Sequence, residues 1–490
     1  MSYEGQAHHP HPPNLGRPPN AHLVPDAGNR QPYVPPGLEL VQAHWFVRHG
    51  ERAPVRQRLV GQGEIPPVFS LCSVGRDFRT AVLTLDAPSA PTPLAKGALS
   101  TGQSTMEVRR LTEDVGSSAR GYVGGSSDWC VCVSSIVQQA NGPLTQRANN
   151  SYWGQLTDLG RRSTLDMGKR LRDLYVPLGF LPATLTSDTS AQVAFRSTNM
   201  PRTIESLHQL IEGMWPSRAR EEGLKVEFKL RGWMDEDLYP NTSCGRLRKL
   251  DAASIANAAK EHNPSLEKLD ATLAPIVGGP LRIDSSPRAS GILDTVLAAK
   301  AHGFKTPPEL DDPKTLRTLE DAVVHEWFDG YVNLEFRKLA MGRLLSSVRQ
   351  TLEAKIADPR EEREKTRLHV YSCHDTSVAG ILNALDAFDK RWPPFTSHVA
   401  IELFRSSTPS ASPSLLSFLP SFLRPTPAAP HFLRLRYNGR TLRLPACAPE
   451  GKHLPGSNGK VCTFDAFKDA VAKVELQQDE WRRMCGNKAE

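Results

Sequence analysis

Three apolar segments of strand length lie far apart in the chain, and each of them ends in polar residues. They are LELVQAHWFV, QVAF and LHVYSC, which begin at Leu38, Gln192 and Leu368. An apolar run that gives way to polar residues before a loop or helix is typical of a buried strand that ends at a site. In open α/β sheets, ligands bind at the carboxyl ends of the strands. The sequence therefore predicts an α/β core whose sheet edge gathers three polar clusters.

The rest of the sequence predicts one core with long insertions. Residues 1–36 are rich in Pro, His, Gly and Asn, which predicts a disordered Pro-rich tail because few apolar side chains can be buried. Residues 37–214 and 366–475 predict a three-layer α/β core with a central mixed sheet, interrupted by a loop excursion at about 60–145. Residues 215–365 are polar and helix-prone, so we expect an inserted, mainly α-helical cap domain. The low-complexity insertion at 406–430 must loop out of a hairpin, because proline is confined to sheet edges.

Two helix starts are predicted next to these strands. Thr157 is a candidate N-cap for the helix that begins in LTDLGRRS, and Pro201 can occupy the first turn of the helix after QVAFRST. A third helix follows LHVYSC, with apolar residues at helical spacing from Val378 to Leu385.

Composition excludes several classes of protein without choosing a partner. No apolar run reaches about 18 residues, so no integral membrane segment is expected. The net charge of +7 is scattered along the chain, and no nucleic-acid partner is expected from it. Eight cysteines are too few for a disulfide scaffold, and no secretory signal precedes the core, so the default expectation is an intracellular, cytoplasmic protein, with a mitochondrial location as the alternative. Cys447 and Cys462 could pair if the protein were exported by another route.

The first polar cluster is the string Arg48, His49, Gly50, Glu51, Arg52, Ala53 and Pro54. Phosphoryl transfer needs the charge on the equatorial oxygens to be held, and guanidinium groups do this bidentately. A neutral imidazole between two arginines is a competent nucleophile toward phosphorus. The alternative interpretation is a solvated basic turn.

The other two clusters have similar alternatives when each is taken alone. Arg196, at the second strand end, is either a third phosphate-holding guanidinium or a solvated surface arginine. His374 and Asp375, at the third strand end, are either site residues or an ordinary helix N-cap. The coincidence of three such clusters at predicted strand ends favours a single phosphate site.

The motifs together resemble the histidine acid phosphatases, which form branch 2 of the histidine phosphatase superfamily. That family carries an RHGxRxP motif and a distant HD pair, which match Arg48–Pro54 and His374–Asp375, and GQLTDLGRRS from Gly154 looks like another family element. The resemblance implies a phosphomonoesterase with His49 as the nucleophile, which forms a phosphohistidine, and Asp375 as the proton donor. It implies that the phosphate is held by Arg48, Arg52, Arg196 and His374. An acidic optimum is expected, since the proton donor must carry its proton.

The resemblance also limits the chemistry and names rivals. No metal and no cofactor are expected, because arginines supply the positive charge that Mg²⁺ supplies in other phosphatases. Glu51 is expected to point away from the site, since an inward carboxylate between two arginines would weaken phosphate capture. The rivals are a catalytically silent binder of phosphorylated ligands, a phosphoglycerate-mutase-like transferase, and a phytase-like or broad-specificity phosphatase.

Two features favour a phosphomonoester with a lipid tail as the substrate. The segments FRSTNMPRTIESLHQLIEGMWP and LDAFDKRWPPFTSHVAIELF most resemble lysophosphatidic acid phosphatases within the family, so a lysophospholipid is the expected partner. The insertion at 406–430 has apolar side chains that could touch an acyl chain or a membrane surface, although its Ser/Pro composition favours a disordered loop.

Overall fold

The computed structural model describes residues 33–66, 69, 153–360, 362–407 and 429–486, together with the backbone of Val108–Thr112. The strands are β1 (Leu38–Arg48), β2 (Val108–Thr112), β3 (Val193–Ser197), β4 (Val226–Leu230), β5 (Leu368–Cys373), β6 (His398–Ser406), β7 (His431–Tyr437), β8 (Arg440–Thr441) and β9 (Cys462–Thr463). The helices are α1 (Asp158–Tyr175), α2 (Pro201–Met214), α3 (Gly245–Glu267), α4 (Asp270–Val277), α5 (Ala289–Ala301), α6 (Pro308–Asp311), α7 (Pro313–Phe328), α8 (Leu334–Ile356), α9 (Asp375–Ala384), α10 (Phe464–Ala472) and α11 (Gln478–Met484).

The strands form one mixed sheet in the order β2-β4-β3-β5-β1-β6-β7-β8, with β9 paired to β7. The strands β2, β4, β3, β5 and β1 pair parallel to one another. From β1 onward the pairing is antiparallel, between β1 and β6, β6 and β7, β7 and β8, and β7 and β9. The three strands identified in the sequence, β1, β3 and β5, are therefore adjacent and parallel, and their carboxyl ends lie at one edge. The predicted α/β fold with a central mixed sheet is confirmed.

Helices cover both faces of the sheet. The side chains of β1 show this, because neighbouring residues point to opposite faces and pack against different helices. Trp45 and Val47 belong to a hydrophobic cluster with α1 and α2, whereas Phe46 belongs to a cluster with α8, α9, α10 and α11. Each of these three side chains is at most 2% exposed, so β1 is buried on both faces. This placement fixes the end of β1 within the molecule and holds the residues that follow it.

A third hydrophobic cluster lies outside the sheet layers. It consists of side chains from α3 to α7 together with four residues of the segment after β1, namely Ala53, Leu59, Ile65 and Phe69. The helical region thus has its own core, and that core contacts the loop that carries the RHGxRxP string. The division into a core and a cap domain stays a prediction.

The structure corrects the predicted boundaries in three places. β2 lies inside the range predicted as a loop excursion, and β4 lies inside the range predicted as a cap, yet both are strands of the central sheet. α8 also falls in the cap range, but its buried residues pack on the sheet in the cluster that contains Phe46. Residues 1–32, most of the predicted excursion and 408–428 of the low-complexity insertion lie outside the described residues.

The two predicted helix starts are confirmed. The Thr157 side chain accepts a hydrogen bond from the Gly160 amide, and Pro201 is the first residue of α2. Both helices begin close to a strand end, so each brings its amino terminus toward the edge where the polar clusters gather.

The described chain contains two disulfides, one between distant segments and one across a short loop. Cys447 pairs with Cys462, and Cys244 at the start of α3 pairs with Cys485 at the end of α11. The first pair is the one for which the sequence left pairing open, and the second was not anticipated. Among the described residues, no helix combines the length and the hydropathy needed to cross a bilayer.

Candidate active site

His49 follows β1 directly and is only 2% exposed. Its Nδ1 donates a hydrogen bond to the Gly50 carbonyl oxygen over 2.9 Å, which leaves Nε2 of the neutral ring with its lone pair. Burial, followed by the charge of Arg202, holds the pKa of His49 well below its usual value. His49 is therefore a neutral imidazole with an available nitrogen, even in mildly acidic solution.

The backbone around His49 is fixed by the amino-terminal turn of α1. A Cβ on Gly50 would lie 2.3 Å from the Gly160 carbonyl oxygen, so the two glycines allow the loop and the helix to touch. Thr157 adds two hydrogen bonds to the Glu51 carbonyl oxygen, from its amide over 3.0 Å and from its hydroxyl over 3.1 Å. The GQLTDLG element thus positions the nucleophile loop.

Arg48 and Arg52 flank His49, and each is paired with a carboxylate. Arg48 forms an ion pair of 2.8 Å with Asp375, and Arg52 forms one of 2.8 Å with Asp294 of α5. The ring of Phe395 lies 4.3 Å from the Arg48 guanidinium carbon and 5.6 Å from that of Arg52. These contacts hold both guanidiniums at the Phe395 ring, next to the residue that they flank in the sequence.

His374 and Asp375 join β5 to α9, as the sequence predicts for a strand that ends at a site. Nε2 of His374 lies 2.9 Å from the Thr198 hydroxyl, and its ring centroid lies 5.7 Å from that of His49. Burial, followed by the charge of Arg202, holds the pKa of His374 well below its usual value. Asp375 is the first residue of α9 and reaches the site through its ion pair with Arg48.

Arg196 does not join this group, which corrects the sequence prediction. Its guanidinium is held by two carboxylates, Glu236 and, over 2.6 Å, Asp237, both nearly inaccessible to solvent. The Arg196 guanidinium is therefore occupied by two carboxylates. Asp237 also pairs with Arg231, so Arg196 belongs to a buried structural network.

Arg202, six residues later, takes the place that Arg196 was predicted to fill. Its charge acts on His49, His374 and Asp375, and burial followed by the nearby charge of Arg52 lowers its pKa to about 10. Arg202 is the second residue of α2. The signal in the sequence was its place in the first turn of a helix, since helix amino termini attract anions.

Glu51 is the second correction, because it is buried rather than turned to solvent. The residue is only 3% exposed, and burial raises the pKa of its carboxyl. The raised pKa favours the neutral carboxyl, which competes less with phosphate for Arg48 and Arg52 than a charged Glu51 would.

A cavity of about 490 Å³, within the range of small-molecule sites, shares Arg48, Glu51 and Asp294 with this group, whereas His49, His374 and Asp375 are not among its lining residues. One part of its wall is apolar and comes from the helical region and the loop before β6: Leu293, Leu297, Ala301, Leu316, Val323, Trp392, Pro394 and Phe395. The charged part contains Arg48, Glu51, Asp294, Glu320, Asp389, Arg391 and Arg440. No group of three or more potential metal ligands was found within the described ranges.

Comparison with known proteins gives consistent matches. Residues 39–417 match the family model of the histidine phosphatase superfamily (branch 2). A probable acid phosphatase of Schizosaccharomyces pombe is 33% identical over 92% of this chain and 95% of its own length. The human lysophosphatidic acid phosphatase type 6 is 26% identical over 68% of this chain and 69% of its own.

Solved structures show the same fold. A multiple inositol polyphosphate phosphatase of Bifidobacterium longum superimposes with a TM-score of 0.54 at 12% identity, covering 93% of this chain and 97% of its own. A Hafnia alvei phytase superimposes with a TM-score of 0.52 at 12% identity, covering 92% and 99%.

Proposed function

Because the chain belongs to branch 2 of the histidine phosphatase superfamily and is an acid phosphatase of that family, we propose that it hydrolyses phosphomonoesters through a phosphohistidine on His49. The carrying observation is the state of His49: a buried, neutral ring whose Nδ1 is occupied by a carbonyl, so that Nε2 is the free nitrogen. A nucleophile of this kind among buried guanidiniums is suited to attack on a phosphoryl group.

In the first step, Nε2 of His49 attacks phosphorus and the bond from phosphorus to the ester oxygen breaks. Arg48, Arg52, Arg202 and His374 hold the phosphoryl oxygens, and Asp375 gives its proton to the departing alcohol oxygen. In the second step, water attacks the phosphohistidine, Asp375 takes a proton from that water, and inorganic phosphate leaves with His49 restored. The contact between Arg48 and Asp375 supports this order, because it keeps Asp375 beside the phosphoryl site. The Asp375 carboxylate must take up a proton from solvent before the first step, and it regains that proton from water in the second.

Trapping the intermediate tests this mechanism. The enzyme is mixed with a ³²P-labelled ester, quenched in alkaline denaturant because phosphohistidine is acid-labile, and mapped by peptide sequencing. We expect label on His49, none in His49→Ala, and unchanged turnover in the presence of EDTA. Label on another residue, or loss of activity on chelation that a divalent ion restores, would overturn the proposal.

The proposed substrate is a lysophospholipid such as lysophosphatidic acid, rather than an inositol polyphosphate. The named lysophosphatidic acid phosphatase relative and the apolar wall beside the phosphate site support this choice. The structural neighbours that act on inositol phosphates are too distant in sequence to count against it, since they share only the fold.

A comparison of kcat/KM for lysophosphatidic acid and inositol hexakisphosphate decides between the two substrates. We expect the lipid to be preferred, and Leu316→Asp on the apolar wall to reduce kcat/KM for the lipid about tenfold or more while that for p-nitrophenyl phosphate changes little. A wild-type preference for the inositol phosphate would refute the lipid assignment and leave the phosphohistidine mechanism standing.

A further inference from the structure

Asp294 of α5 reaches from the helical region to the phosphate-site arginines. One carboxylate oxygen accepts a hydrogen bond from Arg52 over 2.8 Å, and the other accepts one from the Val55 amide over 2.8 Å. The Asp294 side chain is 19% exposed and that of Arg52 is 7% exposed, so solvent screens the pair only weakly. The mechanism above assigns no part to this carboxylate.

Asp294 changes the charge that an incoming phosphate meets. Arg48 is paired with Asp375 and Arg52 with Asp294, whereas Arg202 has no carboxylate within ion-pair distance among the residues that the structure describes. The two histidines are neutral. Three guanidiniums and two carboxylates therefore give a modest positive charge, which suits one phosphoryl group.

The wall beyond the arginines continues this pattern. Asp294 itself lines the cavity, and the neighbouring cations Arg391 and Arg440 face the acids Glu320 and Asp389, at 2.7 and 3.8 Å. A leaving group that carries more phosphates would bring its negative charge against Asp294, whose charge also acts on the half-buried Arg58 beside α5. An uncharged or apolar leaving group would meet no such repulsion.

We propose that Asp294 is a specificity-determining residue, which restricts the site to esters with one phosphate on an uncharged or apolar leaving group. Its carboxylate offsets Arg52 and repels further phosphates at the entrance to the cavity. This inference rests on the proposed phosphatase function and predicts that the same site selects against polyanions.

Inhibition constants give the most direct test, because they need no turnover of the polyanion. Hydrolysis of p-nitrophenyl phosphate is measured with inorganic phosphate and with inositol hexakisphosphate as inhibitors. In Asp294→Asn, we expect the inhibition constant of inositol hexakisphosphate to fall about five- to tenfold relative to that of inorganic phosphate. Asp294→Glu, which keeps the charge, should retain the wild-type ratio.

A matched control is Asp270→Asn, which removes a carboxylate–arginine pair of 2.6 Å in the same helical region but outside the cavity lining. It should leave the ratio unchanged. If Asp294→Asn weakens both inhibitors and turnover by one common factor, Asp294 only supports the fold and the inference is wrong. If the wild-type protein releases phosphate from no ester, the proposed function fails instead.

Discussion

At the scale of single residues, burial decides the ionisation of the groups around His49. Burial lowers the pKa of Arg48 and of Arg202, and it keeps both site histidines neutral. Crowded, desolvated guanidiniums cost folding free energy until an anion offsets their repulsion. We therefore expect that removing Arg202, which has no carboxylate within ion-pair distance in the described part of the chain, harms catalysis without harming stability.

Arg202→Ala tests this expectation. We expect kcat to fall about 100- to 1000-fold, because one donor to the phosphoryl oxygens is lost in the transition state. The free energy of unfolding should be unchanged or higher, since the variant removes a half-buried, partly desolvated charge that has no carboxylate within ion-pair distance in the described part of the chain. Steady-state kinetics and urea unfolding give the two readouts.

Arg196→Met is the contrasting variant. It leaves Glu236 and Asp237 buried without their shared guanidinium, so we expect the free energy of unfolding to fall by about 3–5 kcal/mol. Activity of the remaining folded protein should be close to that of the wild type. A large loss of kcat in Arg196→Met with stability intact would return the phosphate-holding role to Arg196.

The role of Asp375 is tested by the choice of leaving group. Asp375→Asn should reduce kcat/KM by about 10² or more for alkyl phosphates, whose departing oxygen needs a proton. Activated aryl esters should be partly spared, because a stable phenolate leaves without protonation. An equal loss for alkyl and aryl esters in parallel kinetic assays would show that Asp375 does not act as the general acid.

These residues also show how far sequence reasoning reaches. Five residues were identified because each lies at or just after the end of a recognisable strand, and parallel strands end at one edge. They are Arg48, His49, Arg52, His374 and Asp375. Arg196 met the same criterion, but the sequence could not reveal Glu236 and Asp237 folding back onto it. Arg202 was missed because it belongs to a helix rather than to a strand end.

At the scale of secondary structure, the pairing of β1 with β5 holds two titratable rings in the middle of the sheet. His44 lies opposite His369, and their rings stack with centroids 4.4 Å apart. Burial holds the pKa of His44 well below its usual value, and burial followed by the charge of Lys229 lowers the pKa of His369 to about 3. Lys355 also acts on His369 in the same direction. Both imidazoles are therefore neutral in the folded protein.

This pair predicts an acid-sensitive stability. The unfolded chain takes up protons near pH 6.5 while the folded pKa values lie lower, so stability is full above pH 6.5 and falls as the pH drops toward the folded values. In His369→Gln, the acid-induced fall in the free energy of unfolding should be smaller than in the wild type, by roughly 1 kcal/mol for each pH unit below 6.5. Urea unfolding at pH 7.5, 6.0 and 5.0 measures it, with His453→Gln as the control. Parallel pH profiles for His369→Gln and the wild type would refute the prediction.

Strands were predictable from the sequence where both faces are buried, because such strands consist of nearly continuous apolar residues. β1 and β6 are of this kind, because both are buried along most of their length, and β5 has no exposed residue. β4 was missed because it alternates between buried and exposed residues within a charged stretch. An alternation over only five residues does not distinguish a short strand from part of a helix. The assignment of β4 depends on its pairing in the sheet, which the sequence does not show.

At the scale of the whole molecule, the carboxyl-terminal segment is tied to α8 and to the start of α3. The Trp481 side chain of α11 is 1% exposed, and its indole nitrogen donates to the Leu339 carbonyl oxygen of α8 over 2.9 Å. The adjacent Cys485 closes the long link to Cys244, whereas Cys447 and Cys462 close a short one. The long link was not predictable, because the spacing of cysteines in a sequence does not define their connectivity.

The two disulfides should differ in their contribution to stability, because they close loops of very different length. The links span 241 and 15 residues, for which chain entropy gives about 5 and about 3 kcal/mol of stabilisation respectively. We therefore expect the free energy of unfolding to fall more in Cys244→Ala/Cys485→Ala than in Cys447→Ala/Cys462→Ala. Neither pair lines the cavity, so kcat/KM for p-nitrophenyl phosphate should stay within about twofold of the wild type in both variants. Urea unfolding and steady-state kinetics on the same preparations check both statements. A larger loss for the short loop, or no loss for either pair, would show that contacts such as those of Trp481 hold the carboxyl terminus without the covalent link.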